Sequence, residues 1–180
     1  MTNEARLARS DSGFLYPEDD GWFVVNARDT HWWHSEAFGS TAPFEGYQAP
    51  FQEFGINMRV LQPGRPNCLY HGENAQEAIL VLFGEPLLLI EGEERPLKQW
   101  DFVHLPPGTQ HVLVGAGDGP CGVLMVGTRP KQEELFYPAA DVARKHNAAA
   151  EQDTTSGDEA YAGYPDPVVG RVPEGTLPGS

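Results

Sequence analysis

Long apolar runs are missing from this chain. Hydrophobic residues make up 40% of its 180 positions, yet no stretch approaches the roughly 20 apolar residues that cross a bilayer as a helix. A membrane partner is therefore not expected. Cysteine is scarce: Cys68 and Cys121 are the only two, too few for the disulfide framework of a small secreted domain. Positive charge is scarce as well. Twelve Lys and Arg face 26 Asp and Glu, a net charge of −14. Such a field repels phosphate backbones, which argues against nucleic acid as a partner. The opening residues, Met1 to Arg9, lack the apolar core of a secretory signal, so cytoplasmic residence is the default expectation.

Turn-forming residues, by contrast, are plentiful, with 20 Gly and 16 Pro. They punctuate a series of short apolar segments. Ile56–Leu61, Leu69–Glu73, Glu77–Phe83, Leu87–Glu91, Asp101–Leu105, Gln110–Val114 and Gly122–Thr128 all read as strands. Strands this short, separated by Gly and Pro, predict a β-sandwich or barrel. The expected organisation is an N-terminal arm and aromatic-rich cover over residues 1–55, a β-barrel over 56–128, and a connector, one short helix and an extended tail over 129–180. Within the first part, residues 1–20 read as a loose arm and Trp22–Val25 as a short strand. Phe38, Phe44, Tyr47, Phe51 and Phe54 lie in a segment that covers part of the barrel. The helix is placed at Asp141–Asn147, and Tyr161 and Tyr164 favour a tail laid on the body over a free one. Ala78–Phe83 and Leu87–Ile90 are apolar on both faces, whereas a sheet with one wet face alternates. Something must cover them: the N-terminal segment, the tail, or a second subunit, of which a homodimer is preferred.

The chemistry concentrates in one polar stretch. His71 and Glu73 are two residues apart, and strand positions i and i+2 share a face. Glu77 has the same parity but lies beyond a turn at Asn74-Ala75. His111 follows the Pro106-Pro107-Gly108 turn on another strand. Imidazoles and carboxylates do not converge inside an apolar β-structure without compensation, since each unpaired ion would cost roughly several kcal/mol. A metal ion is the simplest compensation.

These two stretches resemble the paired motifs of the cupin superfamily. The first motif runs glycine, five residues, His-x-His, three or four residues, Glu, six residues, glycine; His71, Glu77 and Gly84 match it. The second runs glycine, five residues, Pro-x-Gly, two residues, His, three residues, Asn; Pro106, Gly108 and His111 match it. Four departures stand out. Glu73 replaces the second histidine, six residues separate Gly64 from His71, Trp100 replaces the leading glycine of the second motif, and Gly115 replaces its terminal asparagine. The resemblance implies an all-β double-stranded β-helix, the jelly-roll or cupin barrel.

The resemblance also implies a metal held by His71, Glu73, Glu77 and His111. Alternatively, Glu73 stands outside a two-His, one-carboxylate set, the set associated with non-haem Fe(II) oxygenases, and is free to act as a catalytic base. Glu77 could instead orient a histidine. The ligand types point to Zn, Mn or Fe as the divalent cofactor. Ile79, Val81, Phe83 and Leu113 are the expected pocket wall. Arg59, Tyr70 and Gln76 lie nearby with undetermined facing. Cys68, of opposite parity to His71, is expected to face away. His31 and His34 read as the polar edge of a buried Trp32-Trp33 patch; His104 has no motif role, and His146 is expected to face solvent. The functional expectation is a metal-dependent enzyme acting on a small polar organic molecule, of dioxygenase or isomerase/lyase type. The alternative is a non-catalytic small-ligand-binding protein with a structural or docking metal.

Overall fold

A computed structural model describes residues 3–46 and 49–179. Tyr47, named above within the covering segment, lies outside them. The strands are β1 (Leu7–Arg9), β2 (Leu15–Pro17), β3 (Trp32–Ser35), β4 (Gly39–Ala42), β5 (Phe54–Leu61), β6 (Gly72–Glu73), β7 (Glu77–Phe83), β8 (Glu85–Ile90), β9 (Glu93–Pro96), β10 (Phe102–Leu105), β11 (His111–Ala116), β12 (Cys121–Thr128), β13 (Leu135–Phe136) and β14 (Val168–Gly170). Two short helices, α1 (Asp141–Arg144) and α2 (Gly157–Ala160), complete the set.

Two antiparallel sheets face each other, as a jelly-roll requires. The larger has the order β10-β7-β12-β5-β4-β3-β14, and the smaller β11-β8-β9. Between them lies the main core. Ile79, Val81, Val123 and Met125 come from the larger sheet, and Leu88 and Leu113 from the smaller. The edge of the smaller sheet is extended toward β6 by a bridge between His71 and His111.

The sheet is wider than the segment 56–128 predicts. β3 and β4 come from the expected cover and β14 from the expected tail. The N-terminal residues are not a loose arm: β1 and β2 form a hairpin, and Leu15 bridges to Thr30. Trp22–Val25 is not a strand; Trp22 makes a single bridge to Glu4. The helix expected at Asp141–Asn147 stops at Arg144, and α2 was not expected. The tail lies on the body. β14 pairs with β3, and the Tyr161 and Tyr164 rings pack against Phe38.

Both-sided apolar strands find their covers within the chain, in part. Leu89, Val112 and Val114 on the outer face of the smaller sheet pack against Tyr70, Ala143 and Ala148 around α1. On the larger sheet, Trp32, Ala42, Phe44 and Leu177 pack with Met58, Val60, Leu82 and Phe83. Phe83 belongs to this outer cluster and not to the pocket wall. A bulge between Gly122 and Val123 shifts the register of β12 against β7, which breaks the parity that placed Phe83 inward. Toward the β10 edge the cover ends, leaving Trp100 at 67% and Phe102 at 66% exposure.

Candidate metal centre

His71 and His111 face each other because their backbones form one antiparallel pair. The His71 N–H donates to the His111 carbonyl at 3.2 Å, and the His111 N–H donates back to the His71 carbonyl at 2.8 Å. Directly opposed residues in such a pair project to the same side, and the two rings lie with centroids 5.2 Å apart. Glu77, the first residue of β7, brings a carboxylate from the facing sheet. Its Oε2 lies 3.1 Å from Nε2 of His111. One donor atom from each of His71, Glu77 and His111 falls within 4.8 Å of the others, and no other such cluster exists among the described residues.

Local hydrogen bonds set the tautomers. Nδ1–H of His71 donates to the Leu69 carbonyl at 2.9 Å, and Nδ1–H of His111 to the Thr109 carbonyl at 3.1 Å. Each ring is thus tied through Nδ1 to the carbonyl two residues upstream, which leaves Nε2 as the electron-pair donor. Nε2 of His111 is buried without an aligned hydrogen-bond partner among the described residues. A neutral imidazole lone pair and a carboxylate oxygen at 3.1 Å repel unless something positive lies between them. Either a proton or a cation resolves that contact. Cations of this size bond such donors at about 2.0–2.2 Å, so a small contraction of the cluster would suffice. The donor set fits a divalent ion.

The electrostatics of the metal-free cluster say the same. Burial pulls the His111 imidazole down, but the Glu77 carboxylate outweighs it and holds it above its ordinary value. Burial pushes Glu77 up, yet contact with His111 and the charge of His71 leave it below the usual carboxylate range. Glu73 is pushed up to about 7, first by burial and then by the Glu77 charge. It stands on β6 and lines a neighbouring cavity, within reach of the Glu77 charge. It is not among the three converging residues.

Other sequence expectations fall on either side. Cys68 does not face away: its Sγ lies 3.7 Å from Nδ1 of His71. Residues 67–70 are irregular, with bends at Asn67, Cys68 and Tyr70 and no strand, so parity does not apply to them. Burial pushes the Cys68 thiol up to about 11, so it stays protonated. His34 is engaged by Ser40 Oγ and the Arg171 carbonyl, while His31 packs against the Phe14 and Trp33 rings. His104 is exposed on β10. His146 does not face solvent alone; Nε2 lies 3.1 Å from Glu94 Oε1. Gly115, in the asparagine position, is required by crowding, since a Cβ there would meet the Gln62 carbonyl oxygen at 2.2 Å. Trp100, in a glycine position, keeps the glycine conformation with φ +74°. Sequence reasoning missed Tyr161, whose hydroxyl accepts from the Leu69 N–H at 3.0 Å. It also missed Tyr137, whose ring packs 5.7 Å from that of His71. No local motif marks either.

Comparison with known proteins agrees with this architecture. Residues 57–127 match the family model described as Cupin domain, so the chain carries a cupin domain over that segment. No match is found among curated proteins. Among solved structures, a provisionally named sugar phosphate isomerase from Acidithiobacillus ferrooxidans is 28% identical. That match covers 46% of this chain and 55% of the other, with a TM-score of 0.44, so the chain spans little more than half the length of that relative. A sugar phosphate isomerase of the cupin superfamily from Silicibacter pomeroyi is also 28% identical, over 64% of this chain and 69% of the other, with a TM-score of 0.51. The polyketide cyclase RemF from Streptomyces resistomycificus shares the fold at 16% identity and a TM-score of 0.54, over 62% and 83% of the two chains.

Proposed function

We propose that this protein is a metal-dependent enzyme of isomerase or lyase type. In this reading His71, Glu77 and His111 hold a divalent cation, and Glu73 moves a proton on a small, oxygen-rich substrate. The observation that carries the reading is the position of Glu73. It lies close enough to the three converging donors for the Glu77 and His71 charges to act on it. Its carboxyl is pushed up to about 7, a range suited to giving and taking protons near neutral pH. A bound cation would supply Lewis acidity, polarising a carbonyl or hydroxyl oxygen of the substrate. Glu77 and the two imidazoles would orient that oxygen, while the buried Leu113, Ile79 and Val81 keep the interior dry. The resemblance to a sugar phosphate isomerase of the cupin superfamily at 28% identity supports a polyol-like substrate class.

The Glu73→Gln variant provides the test. A base outside the ligand set predicts full metal content by elemental analysis, with turnover of aldose and ketose sugar phosphates reduced about 10²- to 10⁴-fold. Loss of the metal from this variant would make Glu73 a fourth ligand instead. A two-His, one-carboxylate set is also the arrangement of non-haem Fe(II) oxygenases, so oxygen uptake by the Fe(II)-loaded protein decides between the two chemistries. We further propose that two copies associate through the Trp100 and Phe102 face beside the β10 edge, which sedimentation of Phe102→Glu would disrupt.

A further inference from the structure

We propose that Arg59 is the docking point for an oxyanion, a carboxylate or phosphate group of the substrate, in the cavity that opens beside Cys68. The inference rests on the metal-dependent reading of the neighbouring centre. Arg59 pairs with Val123, which pairs in turn with Val81. Cross-strand partners share a face, so Arg59 lies on the inner face of the barrel with the core residues Val81 and Val123. Asn57, two residues away on β5, shares that face.

A guanidinium in such a place needs a counter-charge. The chain has 26 acidic residues, and five other arginines, Arg6, Arg95, Arg129, Arg144 and Arg171, each reach a carboxylate. Half-buried Arg59 reaches none among the described residues. Its Nη1 donates to the Asn67 carbonyl at 2.6 Å and its Nε to Asn57 Oδ1 at 3.3 Å, both neutral acceptors. Nη2 makes no hydrogen bond among the described residues. The Asn67 anchor is itself fixed: its buried side-chain Oδ1 accepts from the Leu113 N–H at 2.8 Å. The guanidinium is thus held in place with one donor edge open.

The Asn67 anchor leads toward the metal centre. Cys68, next in sequence to the Asn67 anchor, contacts His71 at 3.7 Å. Arg59, Asn57 and Cys68 line a cavity of about 810 Å³, walled on another side by Phe38, Tyr161 and Tyr164. Three acids also line it. Glu45 is bound to Arg129, and Asp158 and Asp166 are exposed. The chemistry recognised is a short polyol or hydroxy acid, with an oxygen donor for the cation, a hydrocarbon face for the aromatic wall and an anionic end for Arg59. Arginine suits carboxylate and phosphate through paired N–H donors.

Calorimetric titration of the full-length, metal-reconstituted protein tests this with three probes: gluconate, glucose 6-phosphate and uncharged glucose. The wild type is expected to bind at least one anion more than about 10-fold tighter than glucose, and the tighter anion identifies carboxylate or phosphate as the source. Arg59→Gln should weaken that anion about 30-fold or more, the scale of losing one charge-assisted contact, and leave glucose unchanged. Arg59→Lys should lose less. Melting temperature and metal content are read for each variant, so a purely structural arginine would appear as lowered melting with unaltered anion selectivity. Failure of the wild type to prefer either anion, or equal preference in wild type and both variants, overturns the proposal. A wild type that takes up no metal overturns the metal reading instead, and the Arg59 contrast is then decided by the same titrations on the metal-free protein.

Discussion

Two cavities adjoin residues next to the three candidate metal ligands, and they differ in the charges they present. One, of about 840 Å³, is entered past Glu73 and lined by Glu133 and Glu134 as well as Gly108 and Gln110. The other, of about 810 Å³, presents Arg59, Arg129 and an aromatic wall together with Glu45, Asp158 and Asp166. Neither is lined by His71, Glu77 or His111; the first is lined by their neighbours Gly72 and Gln110, the second by Cys68. The acidic side repels anions and raises the proton affinity of Glu73, because the Glu133 charge adds to that of Glu77. On the other side the open donor edge of Arg59 offers an anion one local charged contact. Under the proposed function a proton is handled at Glu73 and the charged end of a substrate is held at Arg59.

The largest effect that could break this comparison is loss of the centre itself. His111→Ala should lower affinity for Zn(II) or Mn(II) by more than about 100-fold, beyond the 10- to 100-fold typical of losing a supporting group. Equilibrium dialysis measures it. Unchanged affinity would leave the two cavities without a shared centre.

A second expected outcome concerns pH. In the metal-free protein, Glu73 and His111 are raised and Glu77 is lowered. The raised groups favour the fold below their ordinary values, and that contribution fades as pH rises through about 7 for Glu73; the lowered Glu77 contributes above its ordinary range and fades only in acid. Metal-free stability should therefore fall from mildly acidic to mildly alkaline pH. A cation competes with protons for the same donors, so the melting-temperature gain on adding metal should grow between about pH 5.5 and pH 8. A gain that shrinks over that interval would contradict the ligand assignment.

Smaller changes sharpen the contrast. Glu133→Gln removes one of the charges that raise Glu73, so the midpoint of Glu73, followed by carbon-13 NMR of metal-free protein, should move down and not up. The least effect is expected far from both cavities. Trp100 is an exposed non-glycine residue at φ +74°, and Trp100→Gly should raise stability by about 0.5–1 kcal/mol, read by chemical denaturation without change in metal affinity.

Much of this frame is legible in the chain. Glu77–Phe83 is a strand with the expected bounds, and the Gly84 and Gly108 turns sit where the motifs place them. His71 and His111 converge because ladder geometry fixes which residues oppose each other, and Glu77 joins them from the next strand. What stayed hidden depended on irregular backbone or on long-range contact. The irregular stretch at residues 67–70 turns Cys68 toward His71 against strand parity. A bulge sends Phe83 outward. The pairing of His146 with Glu94 spans 52 residues, and no local pattern encodes it. Arg59 was visible as a cation near the motif, but its inward facing required the register of β5 against β12.

The hydroxyl of Tyr161 grips the amide of Leu69, and the carbonyl of the same residue holds the His71 ring. One amino acid therefore couples the far end of the polypeptide to the orientation of the His71 imidazole. Anyone trimming the molecule to its recognisable family segment, residues 57–127, would discard that grip along with the Tyr137 ring. The shortened product should bind metal poorly even where its β-sheets survive, so the minimal working unit is longer than the part that similarity detects.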